Sequence, residues 1–384
     1  MIYHIFVLFS IVCFYLYYKE GYRKDIYLKL VFFAMFVIFS IEYYTTQDYS
    51  VYYYGFYHAS SEHWESLYMF LVKLFNPIGF VAFNGLCSAF EIFTLYFLFR
   101  KIVPPKYIWI GVMFFILNTN YLFLYMNVKR QFLAMALIMW VAYFLFYSRS
   151  NKTFFSINFV KRKHFYAIIC LFSGVMIHSS AYMGLFLFLF FFIKKRISIP
   201  FVIVLISIYF ASFTFRLSDY MKILNAIIAY TTDSNYYSAY ALQQQDYEVE
   251  GRIVTFFYQS FDFLLLALLL IYNRKFTNRE YPLVLSSIIG LILFNIFFGN
   301  FFRLNFYLSM FNVFTIPLLI SKIKSKYIRL IFLVFAVAMP VKLYYNAMFT
   351  KDKTSYMTAK YKYFYTIFDS KVDKRDMYDM IREK

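Results

Sequence analysis

The segment LYMNVKRQFLAMALIMW, residues 124–140, lies within 41 residues, Tyr107 to Tyr147, whose only charged side chains are Lys129 and Arg130. On each side of that pair runs an apolar block close to the ~20 residues a helix needs to cross a hydrocarbon core. The segment therefore reads as the end of one membrane span, the start of the next, and a very short connection. Only a helix satisfies its own backbone polar groups in lipid, so both spans are expected to be helical.

Similar blocks recur along all 384 residues, of which 62% are hydrophobic, 26% aromatic and only 15% charged. This composition excludes an ordinary water-soluble domain. The expected fold is an all-α polytopic integral membrane protein. Its twelve spans fall near residues 2–18, 27–44, 79–99, 107–126, 130–147, 165–177, 181–193, 197–215, 254–272, 281–298, 304–320 and 327–344. ESLYMFLVKLFN, residues 65–76, is too short to cross and ends before Pro77; it reads as an interfacial helix. Met1 to Tyr18 has no basic leader and no small-residue cleavage site, so it is expected to remain as a first span. Residues 1–344 then form a single transmembrane domain with outer loops at 45–78 and 216–253, followed by a charged tail at 345–384.

A net charge of +19 invites a nucleic-acid reading, but the cations sit in clusters between apolar blocks. With the N-terminus outside, 22 of them fall in inner connections and only seven in the longer outer ones: Lys73, Lys129, Arg130, Arg216, Lys222, Arg252 and Arg303. That bias is the positive-inside pattern, and no nucleic-acid partner is needed to explain it. Cys13, Cys87 and Cys170 all lie within spans at spacings unlike a metal site, and read as packing residues. Glu91 and Asp262 lie near mid-span, where a carboxylate is either neutral, paired with a cation, or part of a polar pathway.

Residues 165–193 are uncharged and broken only by HSSA at 178–181. Two helices of about 13 residues, roughly 20 Å each, keep the flanking basic clusters on one side of a core about 30 Å thick. The tip with His178, Ser179 and Ser180 would then lie below the outer surface, in a protein-lined cavity.

Arg130 opens a span entering from outside, where the helix dipole already presents positive charge. Arg252 and Arg303 hold equivalent positions ahead of the spans near 254 and 304. Snorkelling to lipid head groups explains a single such arginine equally well. Three together favour an anion held between guanidinium groups and helix N-termini. The outer loop TTQDYSVYYYGFYHASSEHWESLY, residues 45–68, adds Asp48, His58, Glu62, His63 and Glu65 among aromatic rings suited to stacking on sugars. Carboxylates and imidazoles are the usual general bases, although a solvated loop with an interfacial aromatic belt gives the same pattern. TTDSNYYSAYALQQQDYEVEGR, residues 231–252, reads as a substrate-facing lid or as a disordered loop.

These residues carry a resemblance. NVKRQFLAMALIMWVAYFLF (127–146) with FSGVMIHSSAYMGLFLF (172–188) resembles the EpsG family of bacterial exopolysaccharide proteins, similar in role to O-antigen polymerases. The matching features are Arg130-Gln131 opening a span and His178-Ser179-Ser180-Ala181 about fifty positions on. DYSVYYYGF supplies Asp48 and Tyr52, WESLYMFLVKLF supplies Glu65, and GNFFRLNFYLSMFNVFTIP supplies Arg303 and Tyr307. The sequence departs from the family pattern at Ser66, where proline is common, and at Lys129, where a small residue is expected.

The resemblance implies a multi-pass glycosyltransferase of the bacterial cytoplasmic (inner) membrane. It would join undecaprenyl-diphosphate-linked oligosaccharide repeat units at the outer face, with a polysaccharide chain-length regulator as a candidate partner beside the lipid bilayer. Arg130 and Arg303, with Arg252 in reserve, would hold the leaving diphosphate. His178, Asp48 and Glu65, in that order, are candidate bases, with Gln131, Ser179, Ser180, Tyr52 and Tyr307 in support. No cofactor and no metal are expected, since no Asp-x-Asp pair marks a nucleotide-sugar donor. Two other functions compete: a flippase for lipid-linked oligosaccharide, and a membrane O-acyltransferase.

Overall fold

The computed structural model describes residues 2–41, 47–58, 64–119, 121–122, 129–148, 162–193, 195–214, 252–296 and 302–349, and no strand occurs among them. The helices are α1 (Ile2–Lys19), α2 (Ile26–Ser40), α3 (Gln47–His58), α4 (Ser66–Phe75) and α5 (Phe80–Ile102). After them come α6 (Ile108–Leu117), α7 (Lys129–Ala142, extended by a π-helical turn to Tyr147), α8 (Arg162–Ile177), α9 (Leu185–Phe192) and α10 (Ile199–Thr214). The last five are α11 (Arg252–Ile271), α12 (Tyr281–Ile296), α13 (Phe302–Ser309), α14 (Asn312–Lys322) and α15 (Lys326–Phe349).

A helix lies in each of the twelve apolar blocks. Four segments, Phe80–Ile102, Lys129–Tyr147, Leu304–Lys322 and Lys326–Tyr345, are long and apolar enough to cross a membrane, and the other apolar helices are shorter. α4 lies where the interfacial helix is expected, and α15 continues five residues past the expected boundary at 344.

Three departures from the expected pattern have physical causes. α3 forms inside a stretch read as loop: its many tyrosines obscure the period, but Tyr52 and Phe56 stand one turn apart and both are buried. The span expected at 107–126 is interrupted at Asn118, whose carbonyl accepts the N–H groups of Tyr121 and Leu122; helix resumes at Thr119, Tyr121 and Leu122. The span expected at 304–320 turns at Met310 and Phe311 between α13 and α14. The two breaks face each other, because the Tyr121 hydroxyl donates to the Ser309 carbonyl at 2.7 Å. A carbonyl freed from a buried helix needs such a donor.

Residues 162–192 fold back as a hairpin. His164 and Lys163 at the start of α8 meet the Phe191 ring at the end of α9, at 5.2 and 5.9 Å. Near the turn, a methyl on Gly174 would sit 3.5 Å from Ala181, and one on Gly184 would sit 2.5 Å from Ile138 of α7. Small residues thus let the 3-10 turn Ser179–Gly184 press against α7 and α8. His178 marks the tip.

The basic connections gather at the opposite end. Arg196 donates to the Phe276 carbonyl and to Asn278, both at 2.8 Å, and stacks on Tyr281 at 4.0 Å. Lys322 pairs with Glu280 at 3.1 Å, while Glu280 and Thr277 exchange hydrogen bonds as a capping box. Asp25 and Arg100 pair where α2 begins and α5 ends.

Candidate functional site

Arg130 is the second residue of α7, and its Nη1 meets Glu65 Oε2 at 2.5 Å. Glu65 immediately precedes α4 in extended conformation, yet its carboxylate does not cap that helix. Instead the other oxygen, Oε1, accepts the backbone N–H of Ser179 at 2.8 Å. One carboxylate therefore ties the start of α7 to the hairpin tip. Both partners are mostly removed from solvent, with 17% and 21% of the Arg130 and Glu65 side chains exposed. A pair so placed is held far more firmly than a surface one.

Aromatic rings box in the guanidinium. Its central carbon lies 5.9 Å from Tyr52, 5.4 Å from Trp64 and 5.7 Å from Tyr68, within cation–π range of all three. Trp64 reaches this position only because residue 55 is glycine: a Cβ there would lie 2.3 Å from the indole. Beneath the cage, Lys129 is buried and donates to Asn84 Oδ1, while Asn84 Nδ2 donates to the Phe39 and Ser40 carbonyls at 3.2 and 3.3 Å. Lys129, the departure from the family pattern, thus braces α7 against α5 and α2. Arg130 Nε is buried and makes no hydrogen bond among the described residues.

On the other side of the tip, Ser180 Oγ lies 2.6 Å from His178 Nδ1 and donates to the Tyr307 hydroxyl at 3.1 Å. A serine hydroxyl has one proton. With it on Tyr307, His178 donates from Nδ1, as the Nδ1–H tautomer and the imidazolium both do. Tyr307 is fully buried in α13, which packs on the 3-10 turn of the tip.

Seven expected site residues thus meet or flank one another: Arg130, Glu65, Tyr52, His178, Ser179, Ser180 and Tyr307. Gln131 follows Arg130 and is completely buried. Asp48, Arg252 and Arg303 lie in helices α3, α11 and α13, but their side chains fall outside the described residues, as do Glu62 and His63. His58 is exposed, stacks on Tyr54 at 4.0 Å and meets its carbonyl at 3.1 Å. Asp262 is partly buried in α11, and Glu91 is buried in α5. Trp64, Tyr68, Gly55 and Asn84 are the contributors that residue-by-residue reading misses. Their signal is faint: Trp64, just before α4, and Tyr68, in its first turn, are two aromatic residues among many in this stretch. Among the described residues no three His, Cys, Asp or Glu side chains group as metal ligands.

The order of these features along the chain is that of one family: the model of the EpsG family matches residues 25–364. The chain belongs to the EpsG family. That membership and the apolar helices place it among membrane proteins of polysaccharide biosynthesis. No curated protein and no solved structure matches it.

Proposed function

We propose that the chain is an oligosaccharide repeat-unit polymerase. It transfers a growing glycan from undecaprenyl diphosphate to a hydroxyl of an incoming lipid-linked unit, at the outer face of the bacterial cytoplasmic membrane. The reading rests above all on a caged guanidinium, Arg130, tied through Glu65 to the hairpin tip that carries the half-buried His178 imidazole. Breaking the glycosyl–diphosphate bond leaves negative charge on the diphosphate. Arg130 would neutralise it, with Arg303 and Arg252 as further donors. His178 Nε2 would take the proton of the attacking hydroxyl, with Asp48 as the second choice and Glu65 as the third. Ser180 and Tyr307 hold the imidazole; Ser179 presents its backbone N–H, and Tyr52 flanks the guanidinium. The proposal keeps twelve spans with the N-terminus outside, because the basic connections gather at the end opposite the site.

The test is Arg130→Ala in a polymer-producing cell. Expected is loss of polymer, with single lipid-linked repeats accumulating on the outer face. Repeats retained on the cytoplasmic face would replace the polymerase reading with the flippase one.

A further inference from the structure

The two oxygens of Glu65 occupy two donors that come from separate elements: the Arg130 guanidinium at the start of α7 and the Ser179 N–H at the hairpin tip. A phosphate presents a similar pair of oxygens, and guanidinium forks bind both groups alike. Moreover, the guanidinium has no room to leave. Tyr52, Trp64 and Tyr68 surround it, and the helix that carries it is braced through Lys129 and Asn84. The Glu65 side chain is the less constrained partner: its residue caps α4 in extended conformation through the backbone carbonyl alone, and the carboxylate makes no hydrogen bond to its own helix start. Since an uncompensated guanidinium at this depth is costly, an empty site needs an anion of its own.

We infer that Glu65 is an internal placeholder, an anion that fills the diphosphate position when substrate is absent and is displaced when substrate binds. The inference rests on the reading of Arg130 as a diphosphate donor. Diphosphate carries more charge than one carboxylate and so pairs more strongly with the guanidinium. The two anions repel each other, so binding drives the carboxylate off both donors. Glu65 thereby sets a threshold: weakly charged lipids do not compete with it, and diphosphates do.

The experiment measures binding of two probes, inorganic pyrophosphate and a polyprenyl diphosphate, to the full chain in lipid nanodiscs. Glu65→Gln keeps the shape of the side chain and removes its charge. Expected is about tenfold tighter binding of both probes, within the usual range of coupling between competing ligands. Arg130→Ala should abolish binding, and the double variant should behave as Arg130→Ala alone. A larger gain for the polyprenyl probe assigns the site to a lipid-borne diphosphate, and an equal gain assigns it to the diphosphate group itself. If Glu65→Gln leaves affinity unchanged or weakens it while Arg130→Ala still abolishes binding, the placeholder fails and the anion site stands. If Arg130→Ala leaves binding intact, the anion reading itself fails. Should Glu65→Gln not fold, Glu65→Asp, too short to span both donors, is expected to tighten binding in the same direction; unchanged binding there overturns the placeholder equally.

Discussion

The two ends of the helical bundle handle cations in opposite ways. At one end Arg196, Arg100 and Lys322 each lean on backbone carbonyls, one carboxylate or a single ring. At the other end Arg130 is enclosed by three rings and one carboxylate shared with a backbone N–H. Cations of the first kind report where the chain meets water. A cation of the second kind is retained against its desolvation cost, and such a cost is tolerated where something must be bound.

Substitutions at the two ends should separate these roles. His178→Ala is expected to lower polymer yield by about 100-fold, the lower range for removal of a general base; normal chain growth in that variant removes the imidazole from the mechanism. Arg130→Lys keeps the charge but gives up the planar fork, and a loss of about tenfold is expected from one missing charge-assisted hydrogen bond. Yield equal to wild type there would show that charge alone suffices. Tyr307→Phe deletes the partner of Ser180 and should cost about fivefold, the worth of roughly 1 kcal/mol in a neutral hydrogen bond. Gly55→Ala forces Trp64 away from the guanidinium; about 1–3 kcal/mol of stability is expected to be lost, read as a lower melting temperature in detergent. At the far end, Lys322→Ala removes an ion pair whose side chains are 23% and 13% exposed; about 1–3 kcal/mol of stability is expected to be lost, with polymer yield per folded chain unchanged. An equal loss of polymer from Lys322→Ala would erase the distinction between the two ends.

Much of the arrangement is legible in the sequence because membranes restrict the options. Arg130 stands out since a guanidinium at the start of an apolar helix opposes the helix dipole, and the hairpin at 178 follows from two basic clusters that must share a side. The alignment of Glu65 with Arg130 is not legible: it depends on α4 packing against α8, which no local pattern encodes. Trp64 illustrates the same limit, since its position is granted by the absence of a side chain at Gly55, nine residues earlier. The breaks at Asn118 and Met310 are hidden for another reason. Neither is marked by proline or glycine, only by polar residues such as Asn118, Thr119, Ser309 and Asn312, and Tyr121 reaches across to Ser309 to join the two breaks.

The hairpin tip touches residues that are far apart in the chain: Glu65 lies 114 positions before Ser179, and Tyr307 lies 127 positions after Ser180. A polypeptide leaving the ribosome in order places its glutamate and arginine in the bilayer long before the tyrosine arrives. During that interval Ser180 and His178 lack their anchor in α13. The surroundings of the hairpin tip are therefore completed late in biogenesis, and a nascent chain stalled before α13 would carry its Arg130–Glu65 pair without the tyrosine that anchors Ser180.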